Sequence, residues 1–383
     1  MRLIFCTSFR SAVLGGCLAA AVVLPATAET GVTNSEIVVG QNITLQGGKN
    51  AYGVTAHRGA KLYIDEVNAA GGVHGRRIVL RTLDDDNQGA TAEANARKLV
   101  QDGAFMLFGS IEGGPSTAIA KVAQETRVPF FGPMAGSPVL RRPYQPMVFP
   151  VRAEHREEFR ALMAWGKSIG LTSVGFFHSD SDTGREHLEN INIIAKALAL
   201  QVVLPLPFKA DATDAQLDQM VQSIARARPD MMINHGSPGL YQRLIVKAKA
   251  AGLKSNFMAV NSGSSQIAKG LGPLAGGMMF AQVVPSPWER KSEITREYQA
   301  AMRRVDANAE FTYGGLEGFM TAKALVLALR AAGRDLTRNG LVKALESGTF
   351  DLGGLSARYR PDEHTGSTFV DLSMVARDGR FLH

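Results

Sequence analysis

Side chains able to hydrogen-bond a small molecule recur in this 383-residue chain just beyond short apolar runs. Ser110 follows Phe105–Phe108, and Ile111-Glu112-Gly113-Gly114-Pro115-Ser116-Thr117 continues with a carboxylate, two hydroxyls and paired glycines. Met134-Ala135-Gly136-Ser137 stands in the same relation to Val128–Phe131, and His178, Asp180 and Thr183 mark the end of the run from Ser173. His235-Gly236-Ser237 follows Met231–Asn234, and Asn261-Ser262 follows Phe257–Val260. Hydroxyls, amides and glycine-exposed backbone N–H groups in such places suit the holding of a small polar solute, because glycine lets a ligand approach the main chain. The same residue types also make ordinary turns and helix caps, with Ser116 or Thr117 able to cap a helix, so both uses stand open. Asp84-Asp85-Asp86 suggests a cation site. Successive residues at a strand end point in different directions, however, and no second ligand cluster accompanies them, so turn formation and capping are expected and no metal. His178 and His235 also read as hydrogen-bonded loop histidines, and Tyr52 and Tyr313 as packing residues.

These residues must be positioned by a repeated strand-and-helix unit. Val54, Ala60, Leu62, Ile64 and Val67 recur at helical spacing, and the helix stops at Ala70-Gly71-Gly72, where glycine admits a left-handed ending. Apolar Ile37–Val39 precedes it, and Ile78, Leu80 and Leu83 alternate as a strand after it. A crossover helix between two strands implies parallel pairing, so the chain opens a doubly wound α/β layer. The alternation continues through Phe105–Phe108, a helix from Ala118 to Thr126, and Val128–Phe131. It restarts after about residue 152 with a second series running to Val260. Two similar lobes are predicted, facing each other with the carboxyl ends of their strands lining a cleft, where open α/β sheets bind ligands. The last third shows no linker of its own and is expected to complete the two lobes, with the chain crossing between them more than once.

At this length two domains are the prior, and 45% hydrophobic with 20% charged residues excludes a mostly disordered chain. The net charge of +7 comes from scattered basic residues without interleaved aromatics, so nucleic acid is not an expected partner. Residues 1–28 read as a cleaved secretory signal: basic Arg2 and Arg10, an apolar run Ala12–Leu24, and the small-residue pattern Ala26-Thr27-Ala28. A lipoprotein anchor at Cys17 is the competing reading, opposed by the apolar run continuing past it. Both cysteines, Cys6 and Cys17, fall in that segment, so an exported mature chain is held by its core without disulfides. No later stretch is long and apolar enough to span a bilayer. The chain has no nucleophile elbow, P-loop or HExxH pair, and Gly270, Gly272 and Gly276 make a poor dinucleotide fingerprint, so neither catalysis nor a cofactor is expected.

The ordered set GQNITL, LYIDEVNAAGGVHGRRI, the strand-end aspartates, FGSIEGGPST, VPFFGP, the His178–Gly184 loop, AQVVPSPW and TYGGLEGFMTAKAL resembles the type I periplasmic substrate-binding proteins of ABC importers. Within them it is most similar to the branch of the leucine/isoleucine/valine-binding proteins. The resemblance implies two α/β lobes joined by a three-segment hinge, closing on a small solute before docking on a membrane permease. It places 29–151 with 283–333 in one lobe and 152–282 with 334–383 in the other, and the protein in the periplasm. A sensor that docks on a signalling receptor would share fold and cleft.

The family's ligand carboxylate is received at positions corresponding to Ser110, Ser116, Thr117 and the loop Met134–Ser137, whose chemical types are kept. The family's aromatic of the second-lobe loop is Thr183 here, and the acid that meets an α-ammonium is replaced by the region Val260-Asn261-Ser262. A buried ammonium without a partner is unfavourable by several kcal/mol. A neutral amide, or an acid lacking an amine, is therefore expected ahead of an ordinary amino acid, with Glu112 or Asp180 as substitute acids. The expected solute contacts are completed by Tyr52, Ile111, His178, Gly236, Ser237 and Tyr313. Glu317 has a family position near the lobe boundary, and Trp288 is expected to pack.

Overall fold

The computed structural model describes Met1, residues 29–261 and residues 263–383. The rest of the expected signal segment and Ser262 lie outside the described residues. Chain order begins β1 (Glu36–Ile43), α1 (Gly47–Ala69), β2 (Arg77–Asp84), α2 (Gly89–Gln101), β3 (Met106–Ile111), α3 (Gly113–Thr126), β4 (Phe130–Met134) and β5 (Val148–Phe149). The strands form one parallel sheet ordered β2-β1-β3-β4-β5. The order reverses between β1 and β3, so their carboxyl ends, at Thr44 and at Ser110–Glu112, flank the crevice where helices part to opposite faces.

The second series runs α4 (His155–Ser168), β6 (Ser173–Ser179), α5 (Asp182–Ala197), β7 (Gln201–Phe208), α6 (Asp214–Ala227), β8 (Met231–His235), α7 (Pro238–Ala250), β9 (Asn256–Ala259), α8 (Ser264–Leu271) and β10 (Met279–Gln282). Then follow α9 (Glu293–Val305), α10 (Tyr313–Ala331), α11 (Arg338–Ser347), β11 (Thr349–Asp351), β12 (Ser356–Arg360), β13 (Glu363–Gly366), β14 (Asp371–Val375) and β15 (Phe381–Leu382). The second sheet is ordered β15-β14-β10-β9-β8-β6-β7; the five strands β6 to β10 pair in parallel, and β14 and β15 add antiparallel strands at one edge. Its parallel part repeats the winding of the first sheet, with the reversal between β6 and β8, at His178 and His235.

The chain crosses between lobes after β5, after β10 and between β13 and β14. Two of these crossings lie side by side: Ser367 N–H donates to Val151 O at 2.8 Å, and Tyr359 Oη donates to Pro150 O at 3.0 Å. The tail 334–383 does not belong to one lobe as expected. Leu336, Leu341, Leu345, Phe350 and Tyr359 are buried in the first-lobe core, because α11 lays its apolar face on α10 and on the antiparallel sheet β11-β12-β13. Only β14 and β15 join the second sheet.

Helices α1 and α10 pack at backbone distance. A Cβ added at Gly59 would sit 1.9 Å from Gly315 O, and one at Gly318 would sit 1.9 Å from Ala56 O. Small residues at helical spacing on α1 thus seat an almost wholly buried helix against the first sheet. Among the described residues no helix is long and apolar enough to cross a membrane.

Candidate functional site

The carboxyl ends of the two sheets meet in a buried polar network. Arg152 lies just after the first crossing, 2% exposed, and its guanidinium pairs with fully buried Glu158 on α4. It also donates to Asn261 Oδ1 at 3.1 Å, while the Asn261 backbone N–H donates to Glu158 Oε2 at 2.8 Å. Asn261 Nδ2 then donates to Tyr52 Oη on α1 at 3.0 Å, and Tyr52 in turn donates to Glu317 on α10. Through this chain of bonds the first-lobe helices hold the end of a second-lobe strand. Burial opposes the charge of Arg152, but Glu158 and Glu317 outweigh it and hold the guanidinium above its ordinary value. Burial pushes the Glu317 carboxyl up, against the pull of Arg152 and the Tyr52 hydrogen bond. Burial, and then Glu317, put the Tyr52 phenol well above its ordinary range.

A second cluster forms at the first-lobe loops. Ser110 and Ser116, both fully buried, share a hydrogen bond of 2.6 Å. The helix begins at Gly113, earlier than the Ala118 expected, so Ser116 and Thr117 are residues of α3 and neither caps it. The capping position belongs to Glu112, at φ +65, whose side chain does not cap and instead accepts from Asn50 Nδ2 at 3.1 Å. Burial raises the Glu112 carboxyl, with Asn50 and Arg152 opposing. Ser137 Oγ is buried without a hydrogen-bond partner among the described residues. Ile111, Met134 and Ala135 are buried beside it, and Gly136 lies flat against the His155 ring, which a Cβ would meet at 2.7 Å. The His155 backbone N–H donates to Gly136 O at 3.0 Å, a direct bond between the lobes.

The remaining expected residues divide. His178 is buried on Phe176 with ring centroids 5.1 Å apart, its Nδ1 3.0 Å from Ser179 O. Thr183 is half-buried in the first turn of α5, and Gly236 and Ser237, both at positive φ, lead into α7. Three expected residues stand apart. Thr117 is exposed, because it lies on the outer face of α3. Asp180 is exposed and pairs with Arg185 at 3.4 Å, facing a pocket of about 360 Å³ between β7 and α6 and not the network. Tyr313 points to the carboxyl end of the chain, 2.8 Å from His383 Nε2 and edge-on to Trp288. Ser262 is outside the described residues. The aspartates build a turn: Asp85, buried, accepts from Thr44 Oγ1 at 2.7 Å and Asn87 N–H at 2.9 Å, and Asp86 pairs with Lys49.

Sequence reasoning passed over Arg152, His155 and Glu158, though His155 and Glu158 stand three apart in the first turn of α4 and so share a face, with Arg152 just ahead of the helix. It also missed that His155, His187 and His235 come together, with candidate ligand nitrogens all within 4.8 Å of one another. Burial, and then neighbouring charges, push all three imidazoles well below their ordinary range.

Residues 36–380 match the family described as periplasmic binding protein. The Leu/Ile/Val-binding protein homolog 8 of Brucella suis biovar 1 is 26% identical over 244 residues, covering 61% of this chain and 59% of that protein. The chain thus spans less than two thirds of the curated relatives that head its matches. A possible leucine/isoleucine/valine-binding protein from Rhodopirellula baltica superposes with a TM-score of 0.82 at 24% identity, covering 94% of this chain and 98% of that one. A solute-binding protein of an ABC transporter from R. palustris, solved with benzoate, gives 0.76 at 19% identity, covering 91% and 95%. Those two likenesses are of fold. The profile match over most of the chain, on two doubly wound lobes that meet at their strand ends, means that the chain belongs to the type I periplasmic binding proteins, in the leucine/isoleucine/valine-binding-like branch.

Proposed function

We propose that this protein is the solute-binding component of an ABC importer, exported by cleavage after Ala28, and that it captures a small carboxylate-bearing organic solute between its lobes. The observation that carries the reading is the buried bridge Tyr52–Asn261, 3.0 Å long, which joins the lobes where ligands of open α/β sheets lie. The carboxylate end is assigned to Ser110, Ser116 and Ser137 and to the free N–H groups at the start of α3, where the helix dipole favours negative charge. Benzoate in one structural neighbour is a solute of this kind.

An ordinary α-amino acid is disfavoured because the side chain of Asn261 is neutral and is used by Arg152 and Tyr52. One observation favours it as a second reading: Glu112 is a largely buried carboxylate beside the serines, and a solute ammonium would pair with it. The test is calorimetric titration of protein refolded free of carried-over solute, with wild type beside a Ser110→Ala, Ser116→Ala double variant that is shown to be folded. Carboxylates are expected to bind wild type and to lose at least about tenfold in affinity in the variant, as for removal of one or two charge-assisted bonds. Equal affinity in both proteins rejects the serine site. Sub-micromolar binding of leucine or valine, lost in Glu112→Gln, rejects the amine-free solute and installs the second reading.

A further inference from the structure

His155 opens α4, His187 lies within α5, and His235 ends β8, so no spacing in the chain announces that they belong together. The fold stacks them: ring centroids are 5.3 Å apart for His155 and His187, 4.5 Å for His155 and His235, and 4.0 Å for His187 and His235. One nitrogen from each lies within 4.8 Å of the others. His187 has no exposed surface, and neither of its ring nitrogens has a hydrogen-bond partner among the described residues; His235 Nδ1 is also buried and unpartnered. A buried imidazole with both donor and acceptor idle is unfavourable, and native structures leave few such groups. His155 differs in an informative way. Its Nδ1 is 2.8 Å from Glu158 Oε1, a carboxylate that fixes Nδ1 as the donor and leaves Nε2 with a free lone pair. A carboxylate behind a ring is the usual support of a metal-ligating histidine.

We propose that His155, His187 and His235 form a binding site for a divalent transition-metal ion of the zinc type, with Glu158 as a positioning residue on His155. Three neutral imidazoles suit Zn²⁺, Co²⁺ or Ni²⁺ and offer nothing to Ca²⁺ or Mg²⁺, which take oxygen. Nitrogens bound at about 2.0–2.1 Å lie about 3.4 Å apart around a tetrahedral ion, so the rings need only small rotations to close on it. The fourth position is left to water or to an oxygen of the solute. Two buried cations, Arg152 and Arg141, act on His155, and the charge of Arg152 is met by Glu158. The site lies at the lobe boundary, since the His155 ring covers Gly136 of the first lobe. An ion there adds positive charge to the cleft wall. The inference stands apart from the solute reading, because it is tested with no organic solute present.

The experiment is a titration of the chelator-stripped protein, expressed from its first residue without a histidine tag, with Co²⁺ and Zn²⁺. The readouts are calorimetry and the ligand-field absorption of bound Co²⁺. Wild type is expected to bind one equivalent, with the intense absorption of a tetrahedral site. His187→Leu and His235→Asn are expected to weaken binding by more than about a hundredfold, and Glu158→Gln by about ten- to a hundredfold. His74→Ala, at an exposed histidine elsewhere in the first lobe, should change nothing. His235 is only half-buried, so its variant keeps the test available if His187→Leu fails to fold. The proposal is overturned by absence of saturable binding below about a millimolar, by a spectrum of octahedral Co²⁺ alone, or by binding unchanged in His235→Asn.

Discussion

Arg152 and Glu158 are both withdrawn from water, and neither is tolerable without the other. Replacing Arg152 by Met leaves an unpaired buried carboxylate, and the expected loss is about 3–5 kcal/mol in urea unfolding. Adding Glu158→Gln to that variant should recover part of the loss, since the two residues share one network; full additivity would mean that they do not interact. Glu112 carries a pH signature. Burial raises its carboxyl above the ordinary 4.5, so its contribution to stability is present below that pH and is lost as pH rises through the folded-state value. Glu112→Gln stays neutral, and its stability relative to wild type is expected to rise as pH climbs above about 4.5, until the raised carboxyl has ionised in the folded protein. Denaturation midpoints that move in parallel would show that Glu112 does not titrate this way. At this scale the sequence singles out Tyr52, Ser110 and Asn261, because each follows an apolar run or lies on a periodic helix, and the fold sets them in buried hydrogen-bonded groups. His187 and Glu317 gave less away, because their roles depend on partners more than thirty residues distant that only the fold supplies, and Arg152 joins Glu158 six residues on to the equally distant Asn261.

The helices α1 and α10 touch through glycines, and that contact makes a sharp demand on the chain. Gly318→Ala would drive a methyl into Ala56 O, and because backbone cannot yield as a side chain does, the expected loss exceeds about 2 kcal/mol. Gly239→Ala on α7 has nothing within 4 Å and is expected to be neutral or to stabilise by up to about 1 kcal/mol. Thermal melts of the pair check both, and equal effects would mean that the close approach is not what fixes these glycines. Strand and helix periodicity made most of these elements legible, from the turn at Gly71-Gly72 to the apolar α10. Periodicity shows α3 only from Ala118 and is silent at its first turn, Gly113-Gly114-Pro115. Glycines read as a loop, yet here they admit backbone to a site and begin a helix. The tail was misassigned for a related reason: α11 and its small sheet are amphipathic, and an apolar face does not say which lobe it will cover.

For the whole molecule, three crossings and a polar network between the lobes describe a binding protein with its lobes together. Solute is expected to shift the population toward that closed form, since closure buries contacts from both lobes against it. Tyr52→Phe removes the bridge to Asn261 while keeping the ring, and small-angle scattering of the solute-free variant should show a larger radius of gyration than wild type. An unchanged radius would mean that the bridge does not hold the lobes. The most direct test of capture in the cleft is a thermal-shift screen of the refolded protein against aromatic and aliphatic carboxylates, small amides and branched amino acids. A solute at about a hundredfold its dissociation constant stabilises the native state by roughly 2.7 kcal/mol, a readable rise in melting temperature. That rise is expected with one or more carboxylates and is expected to be absent in the Ser110→Ala, Ser116→Ala variant; no rise with any carboxylate, or the same rise in both proteins, would contradict capture of a carboxylate at the serines.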